Sequence, residues 1–89
     1  MKSESKYEIG FKPRAVKDLS KLPKSTQIRI MKKIEAMSDD LRGDVRKLTD
    51  HTPEYRLRVG NYRILFEIEG ENIIIYRVVD RRDAYKARR

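Results

Sequence analysis

The sequence predicts an α+β domain in which a helical hairpin covers one face of an antiparallel-rich, four-stranded sheet. Three observations lead to this fold class. Apolar residues alternate with polar ones over 7–11, recur at helical spacing over 15–21 and 24–38, and alternate again from residue 54 onward. The predicted order is therefore strand, helix, helix and three strands, within one domain that spans residues 1–89.

The first half of the chain is expected to contain a short strand followed by two helices. Three apolar residues share one side of that strand: Tyr7, Ile9 and Phe11. Pro13 suits the first turn of a helix over 15–21, and Pro23 separates this helix from a second one over 24–38. The apolar stripe of the second helix consists of Ile30, Ile34, Met37 and Leu41. Because the connection is so short, the two helices should fold back on each other.

The second half of the chain predicts an antiparallel meander. Two strands, Tyr55–Val59 and Tyr62–Glu69, flank Gly60-Asn61, a two-residue turn in which glycine tolerates the positive φ required. A second turn at Gly70-Glu71 leads to a strand over 73–79 that is apolar on both sides, and we expect it inside the sheet. A helical crossover places the first strand beside it, so the helices cover one sheet face and leave the other largely free.

The Gly60-Asn61 turn also predicts which side chains share a sheet face. One face is apolar and should pack on the helices: Tyr55, Leu57, Val59, Tyr62, Ile64 and Phe66. The other face carries Arg56 and places Arg58 directly opposite Arg63, which is destabilising and which packing does not require. We therefore expect an anion between these two arginines. The alternative is that both guanidiniums extend into water while a nearby glutamate, Glu67 or Glu69, reduces their repulsion.

Charge narrows the class of partner. The chain has 22 Lys and Arg against 14 Asp and Glu, and a net charge of +8 suits nucleic acid, an anionic membrane or an acidic protein, although it also favours solubility. Residues 1–50 contain nine Lys and four Arg, whereas residues 51–89 contain eight Arg and one Lys. Since the donor fork of arginine matches phosphate oxygens, this change indicates a phosphate-binding site.

Several classes of protein are excluded by residues that the sequence lacks. Without cysteine there are no disulfides or thiolate metal sites, and a single histidine excludes a multi-histidine metal site. We therefore expect no metal and no cofactor. No apolar run approaches the roughly 20 residues of a membrane span, and the first residues are charged rather than apolar. We expect a cytoplasmic, soluble protein that does not contact a membrane.

Residues 39–53 are predicted to form a loop, because acidic residues, glycine and proline are frequent there. Arg46 and Lys47 lie in this loop and are candidates for phosphate contacts, although simple solvation is the more ordinary role of such side chains. His51 follows them. A single histidine in a loop is usually solvated, so a catalytic role for His51 is the less expected alternative.

The segment after the last strand should reach the rim of the arginine-bearing face. Pairing of Val78 with Arg63 would bring Arg81 and Tyr85 to that rim, where the tyrosine could stack on a base. The alternative is a tail residue that packs back on the sheet edge. Arg77 is expected to point towards the helices and to extend outward at the strand end.

Three stretches carry a resemblance to a known family: Arg46-Lys47-Leu48, Tyr55-Arg56-Leu57-Arg58-Val59-Gly60-Asn61-Tyr62-Arg63-Ile64, and Asp80-Arg81-Arg82-Asp83-Ala84-Tyr85. Together with the element order, they resemble the RelE/ParE superfamily of toxins from toxin–antitoxin systems over nearly the whole chain. The hairpin is common to the superfamily. The spacing of Arg81 and Tyr85 is more similar to the ribonuclease branch than to the gyrase-inhibiting ParE branch.

The resemblance implies an endoribonuclease that cuts messenger RNA in the ribosomal A site through attack of a 2′-hydroxyl on the adjacent phosphate. It implies that Arg56 and Arg58 lie near this hydroxyl and that Arg63 stabilises the phosphorane. By the same resemblance, Arg81 serves the leaving group as proton donor and Tyr85 stacks on or orients the substrate. Four more residues complete the RNA-binding set: Arg46, Lys47, Arg82 and Lys86.

Two departures from the family pattern bear on proton transfer. The hairpin positions are lysines in some relatives, whereas arginine, which stays protonated, is a poor general base. Asp80 occupies the position of a histidine found in many relatives, and beside Arg81 and Arg82 it is expected to be a weak base. Charge stabilisation and substrate positioning should therefore dominate catalysis.

The resemblance also implies a set of partners. These are an acidic cognate antitoxin, messenger RNA in the ribosomal A site, and operator DNA that is contacted only through the antitoxin complex. Two alternatives remain open at this point. One is a ParE-like inhibitor of DNA gyrase, which would be a protein-binding poison and not a nuclease. The other is a non-catalytic DNA-binding accessory protein, for which only the net charge argues.

Overall fold

The computed structural model describes residues 7–41 and 43–81, which form two helices and five strands. In chain order these are β1 (Glu8–Phe11), α1 (Pro13–Ser20), α2 (Lys24–Asp40), β2 (Asp44–Lys47), β3 (Tyr55–Val59), β4 (Tyr62–Glu69) and β5 (Asn72–Asp80). The strands make one sheet in the order β1-β5-β4-β3-β2. Only the β1–β5 pairing is parallel within these residues, so the predicted α+β fold class is confirmed, with five strands instead of four.

The two helices begin and end close to the predicted positions. Pro13 stands at the start of α1, where its missing N–H has no partner to lose and its fixed φ suits the helix. Helix α2 continues to Asp40, two residues beyond the prediction, and ends where Leu41 adopts a left-handed conformation with φ 53°. Neither helix is long and apolar enough to cross a membrane.

The core lies between the helices and one face of the sheet. Ala15 of α1 and the predicted stripe of α2 pack into one core with apolar residues of β3, β4 and β5. The fully buried large side chains are Phe66, Ile30, Ile34, Met37, Leu57, Ile64, Ile73 and Ile75. Tyr55 stacks on Phe66 across the hairpin, with ring centroids 5.5 Å apart. This packing fixes the face of the sheet on which apolar residues are buried and therefore the opposite, polar face.

Strand β2 corrects the prediction of a continuous loop over 39–53. It pairs with β3 in antiparallel register, with Asp44 opposite Arg58 and Arg46 opposite Arg56. Only Val45 of this four-residue strand is apolar, and so short a pattern gives no recognisable alternation in the sequence. Its pairing partner, not its own sequence, makes it a strand. The predicted loop is therefore confined to the segments on either side of β2.

A β-bulge corrects the predicted register between the last two strands. Phe66 pairs with Ile75 whereas Leu65 pairs with Arg77, so that Tyr76 is an extra residue in β5. The predicted pairing of Val78 with Arg63 is therefore wrong by one residue, and Val79 takes that place. The register of the β3–β4 hairpin, by contrast, is confirmed at every predicted pair, and β5 lies inside the sheet as expected.

Helix α1 covers the part of β5 that extends beyond the end of β1. Asp18 accepts hydrogen bonds from Arg77 Nε (2.8 Å), from Arg77 Nη2 (3.3 Å) and from the main-chain N–H of Val78 (2.9 Å). The hydrogen bond to Asp18 raises the pKa of Arg77 above its ordinary value. The predicted side of the sheet is wrong for Arg77, because the bulge sets it opposite Leu65 on the polar face. Its side chain nevertheless contacts helix α1 through Asp18, a partner that the sequence did not reveal.

Candidate functional site

The polar face of the sheet carries two rows of cross-strand neighbours. The first row is Asp44, Arg58, Arg63 and Val79, and the second is Arg46, Arg56, Leu65 and Arg77. Because neighbours across strands share a face, Arg46, Arg56, Arg58 and Arg63 form one cluster, which we call the arginine face. The prediction that three of these residues share a face is confirmed. Arg46 joins them because β2 is a strand.

Arg58 and Arg63 lie directly opposite each other, as the hairpin register predicted. The Arg58 side chain is 49% exposed and its Nη1 lies 3.9 Å from Asp44 Oδ2. Arg63 is partly buried, and its Nη1 lies 3.4 Å from the carbonyl oxygen of Tyr62. Both arginines thus lie on the same face of the sheet, with Arg58 more exposed than Arg63. An anion placed between them would relieve their mutual repulsion.

Arg56 is held much more closely than Arg58. Its Nη1 donates to the main-chain carbonyl of Asp44 at 3.0 Å and lies 3.4 Å from Asp44 Oδ1. Its side chain is only 14% exposed. The two hairpin arginines therefore differ in their contacts and in accessibility, although the sequence alone makes them look equivalent.

Asp44 supplies an acidic counter-charge to Arg56 and Arg58, whereas the sequence predicted Glu67 or Glu69 for this role. The carboxylate of Glu67 accepts a hydrogen bond from the main-chain N–H of Glu54 at 2.8 Å, which directs it away from the Arg58–Arg63 pair. Asp44 was missed because it falls in the short strand that the sequence read as a loop. Its position opposite Arg58 becomes apparent only when β2 is paired with β3.

Apolar side chains surround the innermost arginine. Leu65 and Val79 lie on the polar face beside Arg63, and they are only 3% and 6% exposed. Charges that border apolar, poorly hydrated surface are screened less than charges in open water. Arg63 is therefore placed to act on an anion more strongly than an arginine on a fully solvated strand.

Arg81 lies at the hairpin end of the arginine face. Its main-chain N–H donates to the carbonyl oxygen of Asn61 at 2.6 Å, so Arg81 is held at the β3–β4 turn. This contact agrees with the prediction that Arg81 reaches the rim. The other predicted residues of this segment, Arg82, Tyr85 and Lys86, lie outside the described residues.

Lys47 and His51 are not brought to the arginine face. Lys47 pairs with Tyr55, whose side chain belongs to the core-facing side of the hairpin. His51 is half-buried, and its Nδ1 donates to the carbonyl oxygen of Pro53 at 2.9 Å, so it is not the freely solvated residue expected. The two side chains line a polar cleft together with Asp50 and Glu54. Within residues 7–41 and 43–81, no three His, Cys, Asp or Glu side chains are grouped as metal ligands.

Comparison with known proteins places this chain in a family. Residues 9–85 match the family described as the ParE toxin of the type II toxin–antitoxin system parDE. The chain is 39% identical over 83 residues to Toxin RelE3 of Methanocaldococcus jannaschii, a match that covers 88% of this chain and 94% of the relative. The chain therefore belongs to the RelE-like toxins of the RelE/ParE superfamily.

Solved structures of RelE proteins share the fold. The RelB–RelE antitoxin–toxin complex from Methanococcus jannaschii superposes with a TM-score of 0.74 at 36% identity, covering 88% of this chain and 96% of the matched chain. The archaeal RelE–RelB complex from Pyrococcus horikoshii OT3 gives a TM-score of 0.71 at 26% identity, covering 85% and 96%. Both are complexes of a toxin with its antitoxin.

Proposed function

We propose that this toxin is an endoribonuclease that cleaves messenger RNA in the ribosomal A site without a metal or cofactor. The observation that carries the proposal is the Arg58–Arg63 pair, two arginines directly opposite each other across β3 and β4 on the polar face of the sheet. Such a pair is unfavourable when empty and favourable around a phosphate. The similarity to RelE toxins over most of the chain supports the same activity.

The proposed reaction forms a bond between the 2′-oxygen and the adjacent phosphorus and breaks the bond from phosphorus to the 5′-oxygen. The products are a 2′,3′-cyclic phosphate and a 5′-hydroxyl: the 2′-hydroxyl proton passes to solvent water, and the leaving 5′-oxygen takes up a proton. Arg58 and Arg63 stabilise the added negative charge of the phosphorane. Arg56 orients the 2′-hydroxyl side, and Arg81 donates a proton to the leaving group. Tyr85 stacks on the substrate.

Positioning and charge stabilisation carry this mechanism more than proton abstraction does. Guanidiniums are poor bases because they remain protonated. Asp80 pairs with Tyr62, a neighbour on the core-facing side of the hairpin, so the register does not favour it as a base for a substrate above Arg63. Arg46, Arg82 and Lys86 extend the RNA contact beyond the reacting phosphate. Lys47, on the other side of β2, is at most a peripheral contact.

We also propose that a cognate antitoxin binds this chain. The solved relatives are complexes of RelE with RelB, and a chain of net charge +8 suits an acidic partner. Operator DNA would be contacted only through that complex. A second candidate function is inhibition of DNA gyrase, because the matching family carries the description of the ParE toxin.

Mapping RNA 5′ ends after brief induction of the toxin separates the two candidates. An endoribonuclease should halt translation and leave new 5′-hydroxyl ends within codons on ribosomes. A gyrase inhibitor should instead cause DNA damage and filamentous cells, with messenger ends unchanged. Arg63→Ala should lose toxicity. Its matched control for loss of charge is Arg14→Ala, which removes an exposed arginine of α1 and should remain fully toxic.

A further inference from the structure

Asp44 is a carboxylate within an otherwise cationic face. Its Oδ1 lies 3.4 Å from Arg56 Nη1 and its Oδ2 lies 3.9 Å from Arg58 Nη1. The Asp44 side chain is 47% exposed, so it faces the same solvent from which a substrate phosphate would approach. A negative charge there repels RNA. A surface that served only to bind RNA would be better without it.

Packing and strand formation do not account for an aspartate at this position. Aspartate is depleted in β-strands, and Asp44 is exposed at one end of a four-residue edge strand. The residue of β2 that packs on the core is Val45. The contacts of the Asp44 carboxylate are instead with two arginines of the proposed site. These contacts point to a role in that site.

We infer that Asp44 is a positioning residue, which orients the guanidiniums of Arg56 and Arg58 for cleavage while it weakens RNA binding. The inference rests on the proposed endoribonuclease function. Arginine side chains are long and flexible, and a reaction that depends on their placement gains when they are oriented beforehand. The main-chain carbonyl and the carboxylate of Asp44 both contact Nη1 of Arg56, at 3.0 and 3.4 Å, so two acceptors of one residue hold this end of the guanidinium.

Asp44 makes different contacts with the two arginines. Arg56 has two contacts with Asp44 and is mostly covered, whereas Arg58 has one long ion pair and remains half exposed. Asp44 therefore holds Arg56 in place but leaves Arg58 able to turn towards a phosphate. When RNA binds, its phosphate competes with Asp44 for Arg58, and Arg56 keeps its orientation.

The test separates affinity from rate in Asp44→Asn, which keeps the shape of the side chain and removes its charge. Affinity is measured with a 2′-O-methyl RNA that cannot be cleaved, and rate by single-turnover cleavage on programmed ribosomes. We expect the affinity of Asp44→Asn to be unchanged or up to about threefold tighter, because a repulsive charge is lost. We expect its cleavage rate to fall about tenfold. Asp44→Glu should recover the rate to within about threefold, because the carboxylate is restored.

Asp40→Asn is the matched control, since it removes one exposed carboxylate at the end of α2 and should behave as the wild type in both measurements. A wild-type cleavage rate in Asp44→Asn would overturn the inference. So would a parallel loss of rate and affinity that Asp44→Glu does not recover, because that pattern indicates a purely structural role.

Arginine side-chain NMR tests the inference independently of cleavage. In the wild type, rotation of the Arg56 guanidinium should be slow, and Asp44→Asn should make it faster while Asp40→Asn leaves it unchanged. Identical rotation in all three proteins would overturn the positioning role even if the toxin cleaves RNA. Conversely, restrained rotation in a wild type that cuts no RNA would contradict the proposed function and the role in cleavage, but not the contact.

Discussion

Two sets of aspartate–arginine contacts in this toxin have opposite characters. At the edge of the sheet, Asp18 binds Arg77 at 2.8 Å and also accepts the N–H of Val78, and both side chains are mostly covered. On the arginine face, Asp44 reaches two guanidiniums at 3.4 and 3.9 Å, and one of them is half exposed. In the first set, the Asp18 carboxylate pairs with the Arg77 charge and accepts the Val78 N–H. The second leaves positive charge available to a ligand.

The difference shows how to separate structural from functional arginines in a chain this rich in charge. Arg77 completes the sheet edge beyond β1, where Asp18 supplies the acceptor that a neighbouring strand would otherwise provide. Arg58 has only a long ion pair with Asp44 within the described residues, and its position opposite Arg63 brings two positive charges together. We therefore expect substitutions at the edge to reduce stability and substitutions on the arginine face to reduce RNA cleavage.

The largest expected effect is on cleavage by Arg63→Ala. Removing one stabilising donor from a charged transition state should lower the single-turnover rate on programmed ribosomes by about 10²- to 10³-fold. The free energy of unfolding, measured in urea, should change far less than for a substitution at Asp18. Full activity of Arg63→Ala would show that the arginine face is not the site of cleavage.

Asp18→Ala should produce the reverse pattern. It removes the acceptor of three hydrogen bonds and leaves the Arg77 charge and the Val78 N–H without it, which we expect to cost about 2 kcal/mol of unfolding free energy. Cleavage per folded molecule should be unchanged. The separation of the two sites fails if Asp18→Ala unfolds as the wild type does while its folded form cleaves slowly.

A smaller effect is expected at the turn that sets the register of the arginine face. Gly60 has φ 59°, and a Cβ there would lie 2.7 Å from Arg29 Nη2. Gly60→Ala should therefore destabilise the protein by about 1 kcal/mol or more. Gly70→Ala is the matched control, because φ is 63° and no atom lies within 4 Å of the added Cβ. Equal losses in urea unfolding would mean that Arg29 simply moves aside.

Three members of the arginine face, Arg56, Arg58 and Arg63, could be predicted from the sequence because a local signal determines their side of the sheet. Gly60-Asn61 defines the turn, the turn defines the register, and the apolar alternation of the hairpin defines the buried side. Arg58 and Arg63 then fall opposite each other without any knowledge of the rest of the chain. A second local signal, apolar residues on both sides of the strand, placed β5 inside the sheet.

The features that the sequence did not reveal all depend on distant contacts. Strand β2 has one apolar residue and forms only because β3 offers it an edge, so Asp44 was read as part of a loop. The bulge at Tyr76 shifts the register by one residue without a glycine or proline to mark it. Asp18 and Arg77 are 59 positions apart in the chain, and no local pattern links them.

The salt dependence of RNA binding tests most directly whether the arginine face binds phosphate. The slope of log Kd against log salt concentration, measured with the 2′-O-methyl RNA, reports how many phosphate contacts are made. For Arg58→Ala we expect the slope to fall by about 0.7 relative to the wild type, the value for one phosphate contact to a single strand. Arg14→Ala should keep the wild-type slope. An unchanged slope in Arg58→Ala, or an equal fall in both variants, would contradict the assignment of phosphate binding to this face.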